Sequence, residues 1–239
     1  MFCRLYIEDE IAIGNTMELP PEQGHYLRSV MRLNQGDPVV LFNGKGGEYQ
    51  GSIETLTKST VSITIASFSE ITREMPIAVH IVQAACRSEK IETVLQKATE
   101  LGAASFSIVR SERSSLKLDG AKLNKRLERW QKIVIEASEQ SERTRLPRVQ
   151  WLNKLDDTPA QGLAFTLHTN TNTSWSEQRA NIIRATDVTL AIGPEGGWSK
   201  RDIETLAHKD FQSLTFGPRI MRTETAAPAL LAAIQSLLD

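Results

Sequence analysis

At 239 residues the chain exceeds one domain of about 100–200 residues and falls short of two large ones, which predicts an ordinary domain with a small companion. Hydrophobic residues at 40%, charged residues at 24% and aromatics at 6% match a globular protein and exclude collagen-like, mucin-like and mostly disordered chains. The formal charge of −1 hides an asymmetry: residues 1–75 hold 6 basic and 10 acidic side chains, whereas residues 110–148 hold 11 basic and 6 acidic. A basic window of this kind is what a phosphate backbone selects, although a solvated helix face of mixed charge reads the same way. The start MFCRLYIEDE is too charged for a signal peptide, and no apolar run approaches the ~18 residues of a membrane span; a cytoplasmic protein with no membrane association is expected. Cys3 and Cys86 show no metal-ligand spacing, so no disulfide framework and no metal site are expected.

In chain order, the first 70 residues read as short β runs between turn signals: RLYI, PVVLF, EYQGSI and VSITIASF. Asn43-Gly44 and Gly46-Gly47 tolerate positive φ and predict a hairpin over 39–53. EQGHYLRSVMRL interrupts the strands, with Tyr26, Leu27, Val30 and Met31 at helical spacing and Arg28 and Arg32 four apart on another face. Residues 1–70 are therefore a small β-domain, 71–76 (ending at Pro76) a linker, and 77–239 a second domain of alternating strands and helices. There IAVHIVQAA is a strand, SEKIETVLQKATELG a helix closed by Gly102, and SFSIVRS a second strand. LNKRLERWQKIVIEASEQSE follows as a long amphipathic helix. LAFTLH and VTLAIG are continuous apolar runs suited to the interior of a parallel sheet, and SLTFG is a further strand. The closing helix TAAPALLAAIQSLL is apolar on more than one side, which points to a partner subunit.

Ligands in open α/β sheets bind beyond the carboxyl ends of the strands, so the three loops after the later strands carry the candidate chemistry: LHTNTNTSW, GPEGGWS and GPRIMRTET. Gly193, Gly196, Gly197 and Gly217 remove the Cβ that would keep a ligand from the backbone. Ser199 with Asp202 has N-cap spacing, so a helix begins directly after the glycine loop. Phosphate-loop, dinucleotide, nucleophile-elbow and HExxH signatures are absent. Arg219, Arg222 and Glu224 crowd into six residues of the third loop, where they can bind an anion and position a polar base edge; an Arg–Glu pair that merely ties loop to helix is the alternative. Thr223 and Thr225 are candidate helix caps.

GPEGGWS (193–199), followed by LTFGPRIMRTETAAPALLA (214–232), resembles the SPOUT class of RNA methyltransferases, specifically the RsmE family that methylates N3 of a uridine in 16S small-subunit ribosomal RNA. The likeness extends over the chain: HYLRSVMRL sits in what looks like that family's PUA-like RNA-binding module, while RSEKIETVLQKATELGA, LNKRLERWQKIVIEASEQSER and LAFTLH look like its methyltransferase framework. Glu142 departs from the pattern where a small residue such as Gly is expected; Trp198 and Pro228 read as tolerated variation. The resemblance implies an α/β fold with a SPOUT-type parallel sheet and a deep C-terminal trefoil knot, beside a small PUA-like β-barrel. It also implies S-adenosylmethionine bound by Leu167, His168, Ile192, Gly193, Glu195, Gly196, Leu214, Phe216, Gly217, Ile220 and Arg222. A homodimer joined through residues 226–238 is expected with it, and Arg4, Arg28, Arg32 and Arg143 are candidate RNA contacts.

The implied reaction places a methyl group on a uracil nitrogen that begins protonated, so a cation near the developing uracil anion is needed; Arg222 is the first candidate. Glu224 is a candidate base, or else orients an arginine. Two rivals remain: a non-catalytic RNA-binding ribosome-assembly factor, and a small-molecule transferase whose glycine loop binds a nucleotide.

Overall fold

The computed structural model describes residues 3–168, 171 and 173–239. Its chain divides into two units, Met1–Glu74 with Ser138–Leu146, and Met75–Ala137 with Pro147–Asp239. In the first unit β1 (Cys3–Tyr6), β2 (Thr16–Glu18), β3 (Pro38–Phe42), β4 (Glu48–Leu56) and β5 (Val61–Ser69) form one sheet, ordered β1-β3-β4-β5-β2. β1 runs parallel to β3 and the other neighbours are antiparallel. Side-chain alternation buries Leu5, Val39, Leu41, Ile53, Ile63 and Ile65 in a single cluster with Leu27. The predicted β3–β4 hairpin forms, and Gly47 shows why glycine is needed at its turn: φ is +69° and an added Cβ would lie 2.3 Å from the Phe68 ring. β2 has no counterpart in the sequence reading, because three residues are too few to display a period of two.

The helix read from EQGHYLRSVMRL begins as α1 (Pro21–His25) but continues as a π-helical turn over Tyr26–Val30. Because the π winding departs from 3.6 residues per turn, the expected apolar face is redistributed: Leu27 is buried, whereas Tyr26 is 40% and Val30 61% exposed. Arg32 follows with φ +53°, outside the helix, so Arg28 and Arg32 do not share a helical face as expected.

The second unit contains β6 (Ala78–Ala84), α2 (Ser88–Glu100), β7 (Ala103–Val109), α3 (Gly120–Gln140), β8 (Arg148–Leu152), β9 (Leu163–Leu167), α4 (Trp175–Arg184), β10 (Asp187–Ile192), α5 (Lys200–His208), β11 (Gln212–Leu214) and α6 (Thr223–Leu238). Six parallel strands pair in the order β11-β9-β10-β6-β7-β8. β8 and α4 escaped the sequence reading. For α4 a signal existed, since Ser174 and Glu177 form a capping box. Gly102 closes α2 at φ +88°, as its place after the last apolar residue predicts. The last three residues of α3 belong to the first unit.

Residues 138–146 were expected in the second domain; the structure packs them with the first unit. The Tyr6 N–H donates to Glu139 at 2.8 Å, and residues 144–146 run against the hairpin turn, where Gly46 N–H donates to the Thr144 carbonyl and Leu146 N–H to the Gly44 carbonyl. Glu74 accepts from the Arg143 guanidinium and from the N–H groups of Thr144 and Arg145. Arg4 donates to Glu48 at 2.6 Å and to the Arg143 carbonyl at 2.8 Å, and lies over the Phe42 ring. With side chains only 7% and 5% exposed, Arg4 and Arg143 hold the fold together and do not present their charge to RNA. That expectation is corrected, since a phosphate contact needs an accessible guanidinium.

Helix α6 packs against α2, α4 and β10, burying Leu230, Leu231 and Ile234 completely. Most of its many-sided apolar surface is thus covered within its own unit, leaving Pro228, Ala229, Ala233, Leu237 and Leu238 half-buried. Among the described residues, no helix is long and apolar enough to cross a membrane.

Candidate functional site

Strand order runs β6-β7-β8 on one side of the second sheet and β10-β9-β11 on the other, so connections diverge between β6 and β10 and open a crevice at the carboxyl ends. A cavity of about 830 Å³ occupies this end. All three loops singled out in the sequence contribute to its wall, and each of Leu167, His168, Ile192, Gly193, Glu195, Gly196, Leu214, Phe216, Gly217, Ile220 and Arg222 lines it. Thr169, Asn170 and Asn172 of the first loop lie outside the described residues.

The glycine loop is fixed at both ends. Ser199 caps α5 as predicted, its hydroxyl accepting from Asp202 N–H while Asp202 accepts from Ser199 N–H. Trp198 is 8% exposed and belongs to an apolar cluster with Ala191, Leu206 and Phe211. A Cβ on Gly193 would approach its indole nitrogen to 3.3 Å, so Trp198 limits the space at Gly193. Thr223 opens α6 without capping it: its hydroxyl donates to the Gly193 carbonyl at 2.7 Å and accepts from buried Gln83 at 2.9 Å. This relay ties the end of β6, the glycine loop and the third loop together.

Two cations lining the cavity were missed because each lies far from the loops in sequence. Arg113, after β7, donates to the carbonyls of Gly196 (2.9 Å) and Trp198 (3.4 Å). Lys90, in the first turn of α2, stands 3.2 Å from Glu224 and 3.7 Å from Glu195. Glu195 also accepts from the Arg87 N–H at the start of α2, a favourable place for a carboxylate. No residue spacing announces such convergence; it exists only once β6, β10 and α6 are assembled.

Glu224 lies behind Lys90 and is not among the cavity-lining residues. Partial burial alone would raise its carboxyl pKa, but its own backbone N–H, Lys90 and the charge of Arg222 outweigh that and hold it below the ordinary glutamate range. Its carboxylate stands beside the cation Lys90, where the sequence pointed to an arginine. Arg222 and Arg219 are exposed at the lip, beside Ile220 at 85% exposure, and among the described residues neither arginine's side chain forms a hydrogen bond or ion pair. Burial, with Glu195 adding to it, pushes the Cys86 thiol up to about 12, which makes it inert as a nucleophile. No metal-binding cluster occurs among the described residues.

Of the eleven basic residues at 110–148, Arg126 and Arg129 converge on Glu92, Arg143 is buried and Arg113 braces the glycine loop, whereas Arg110, Lys117, Lys122, Lys125, Lys132, Arg145 and Arg148 are exposed. In the first unit Arg28 donates to the carbonyls of Thr57 and Lys58, whereas Arg32 is exposed. His80 is held between Ser105 (2.8 Å) and Asp187 (3.1 Å) near the amino ends of the strands, away from the cavity.

Residues 73–235 match a family described as an RNA methyltransferase domain, and residues 19–66 match an RNA methyltransferase PUA domain. A ribosomal RNA small subunit methyltransferase E from Bacillus subtilis is 33% identical over 97% of this chain and 95% of its own length. A protein of the same name from Synechocystis is 34% identical over 100% of this chain and 79% of its own. Among solved structures, a Legionella pneumophila methyltransferase in complex with SAM superimposes with a TM-score of 0.91 at 36% identity, covering 99% of this chain and 98% of the other. A ribosomal RNA small subunit methyltransferase E from Neisseria gonorrhoeae bound to S-adenosyl methionine gives 0.90 at 30% identity with the same coverage.

Proposed function

The chain belongs to the ribosomal RNA small subunit methyltransferase E family, and from that premise we propose that it methylates N3 of a uridine in 16S ribosomal RNA in the cytoplasm. As a member of that family it is an S-adenosylmethionine-dependent RNA methyltransferase. The observation that carries the reading is the convergence of three strand-end loops on one cavity of about 830 Å³, within the ~300–1,000 Å³ range of small-molecule sites.

The residues fit the cofactor. Leu167, Ile192, Leu214 and Phe216 offer an apolar bed for an adenine, and Gly193, Gly196 and Gly217 leave backbone groups accessible. Cβ atoms built on Gly196 and Gly217 meet nothing closer than 3.7 Å, so this space belongs to a ligand more than to protein packing. When bound, S-adenosylmethionine supplies an electrophilic methyl group carried on a sulfonium. The chain's own part is to exclude water, to hold the base in line, and to stabilise negative charge on the uracil as N3 loses its proton. Arg222, exposed at the lip and unpaired by any carboxylate side chain among the described residues, takes that electrostatic role. The target base leaves its stack to reach the cavity.

Two further features belong to this reading. The sheet order, in which β11 lies beyond β9 with its loop returning to the glycine loop through Thr223, supports a trefoil knot, a rare exception to unthreaded chain topology. The half-buried stripe of Pro228, Ala229, Ala233, Leu237 and Leu238 supports a homodimer through α6; light scattering at micromolar concentration should give twice 26.6 kDa.

Incubation with radiolabelled S-adenosylmethionine and undermethylated small subunits, followed by nuclease digestion and mass analysis, should yield 3-methyluridine. Binding of RNA without the cofactor would support an assembly factor instead; cofactor binding without RNA modification would support a small-molecule transferase.

A further inference from the structure

Uracil presents a carbonyl acceptor, the N3–H donor and a second carbonyl acceptor along its Watson–Crick edge. A wall able to read this edge must offer donor, acceptor and donor. The cavity holds that set. An ammonium has three N–H donors; Lys90 Nζ stands 3.2 Å from the Glu224 carboxylate and 3.7 Å, beyond hydrogen-bond reach, from that of Glu195, and the side chain lines the cavity. Glu195 uses Oε1 toward Arg87 N–H and Lys90, while Oε2 takes part in neither contact. Arg222 lines the same cavity with its donors unengaged among the described residues.

Resting on the reading of uridine N3 as the target, we propose that Lys90 and Arg222 donate to the two carbonyls flanking N3 and that Glu195 accepts the N3 proton. The N3–H bond breaks, an O–H bond forms on the Glu195 carboxyl, and the electron pair stays on N3, spread onto the carbonyls beside the two cations. Water takes the proton from Glu195 after turnover. Glu224 acts through Lys90 as a positioning residue: its carboxylate stands 3.2 Å from the ammonium before the base arrives. The fixed charge pattern also selects the base. Cytosine would turn an amino donor toward a cation and a ring lone pair toward the Glu195 carboxylate, and both contacts repel.

The test uses the full chain and two readouts. The wild-type enzyme first identifies the methylated uridine, and small subunits are then reconstituted with uridine, cytidine or 5-fluorouridine at that position. Binding is measured with S-adenosylhomocysteine present, so that no turnover contributes. Wild type should prefer uridine over cytidine by about 10- to 100-fold; Lys90→Met should reduce that preference several-fold, with Arg222 and Glu195 still in place, and Lys90→Arg should retain most of it. Single-turnover methylation provides the second readout. Glu195→Gln should be slow on uridine and substantially rescued on 5-fluorouridine, whose N3 proton is more acidic, whereas a merely structural defect would slow both alike. Melting temperature and S-adenosylhomocysteine affinity identify misfolded variants, and Glu195→Gln keeps the proposal falsifiable should Lys90→Met fail to fold. Unchanged base preference in folded Lys90→Met, or equal slowing of both substrates by Glu195→Gln, overturns the inference alone. A wild-type methyl group on carbon or ribose oxygen overturns the functional reading and this inference with it.

Discussion

Charged residues cluster in both units, and the two clusters differ in how completely their donors are engaged. In the first unit Arg4, Arg73 and Arg143 meet Glu48, Glu74 and Glu142, together with main-chain carbonyls. In the second, Lys90 is held by Glu195 and Glu224 yet borders the cavity, while Arg219 and Arg222 extend from the lip into solvent. Charge paired with carboxylates and main-chain carbonyls fixes the path of the chain; charge with an unengaged guanidinium beside a cavity is available for a ligand. Arginine in a basic window is therefore ambiguous until its acidic partners are located.

The largest expected effect lies in the satisfied cluster. Arg143→Ala would leave Glu74, whose side chain is 14% exposed, beside two N–H donors without its guanidinium; breaking one side of a buried pair costs about 3–5 kcal/mol, and partial exposure places this one at the low end, about 3 kcal/mol. All three tyrosines, Tyr6, Tyr26 and Tyr49, belong to the first unit, whereas Trp130, Trp151, Trp175 and Trp198 belong to the second. Urea unfolding followed by near-ultraviolet tyrosine signal should register the loss at lower denaturant than wild type. A cost below about 1 kcal/mol, the ordinary value of an exposed pair, would erase the contrast.

Arg222→Ala should do the reverse. Removing one preorganised charge donor commonly lowers the rate by about 10² to 10³, with melting temperature near that of the parent because the side chain forms no ion pair among the described residues. Single-turnover methylation, corrected for cofactor-bound protein, checks this. An equal loss of cofactor affinity would reassign Arg222 to the binding pocket.

The three catalytic-end loops were legible because strand, glycine and charge signals sit within a few residues of one another: Ile192 to Ser199 displays a strand, a turn and a cap in sequence. Lys90 and Arg113 were not, since each reaches the cavity from a different element and its partner carboxylate or carbonyl is supplied by a loop about a hundred or fewer residues away. The π turn at Tyr26–Val30 defeated a reading based on a 3.6-residue period. Likewise Arg4 and Arg143 were indistinguishable from RNA-binding arginines until Glu48 and Glu74 were found beside them.

Acid should separate the clusters by a smaller margin. Burial would raise the Glu48 pKa, but hydrogen bonds from Arg73 and Arg4 and their charges hold it below the ordinary range. A depressed folded-state pKa adds stability above the unfolded value of about 4.3 and withdraws it as pH falls through the folded value. Tyrosine-monitored urea midpoints should therefore begin to fall near pH 4 and continue downward, and Glu48→Gln should flatten that dependence. A midpoint constant from pH 6 to pH 3 would argue against it.

For RNA, the distinction predicts a graded result. Arg32→Ala removes an exposed cation and should reduce the slope of log affinity against log salt by about one unit if it contacts a phosphate. Arg28→Ala should change the slope less, because its guanidinium already donates to the Thr57 and Lys58 carbonyls. Equal effects from the two variants would mean that Arg28 releases those carbonyls on binding.

The smallest effect tests whether the satisfied cluster tolerates strain at its edge. Glu142, the position where a small residue was expected, has φ +59°, a conformation that costs a non-glycine residue about 1–2 kcal/mol. Arg73 offsets part of this by meeting its carboxylate at 3.4 Å and its carbonyl at 3.2 Å, but the carboxylate is 64% exposed, and such a pair contributes about 0–1 kcal/mol. Glu142→Gly would relieve the strain and keep the carbonyl contact, while losing the ion pair and giving the unfolded chain more freedom, about 0.4–1 kcal/mol. The terms nearly cancel, so a change within about 1 kcal/mol is expected at low salt. High salt should shift the balance toward glycine, because it screens only the exposed pair. A double-mutant cycle with Arg73→Ala, measured at two ionic strengths, separates the contributions. If Glu142→Gly proves destabilising by more than 2 kcal/mol at both, Glu142 belongs to the satisfied network in full, and the edge of that network lies beyond it.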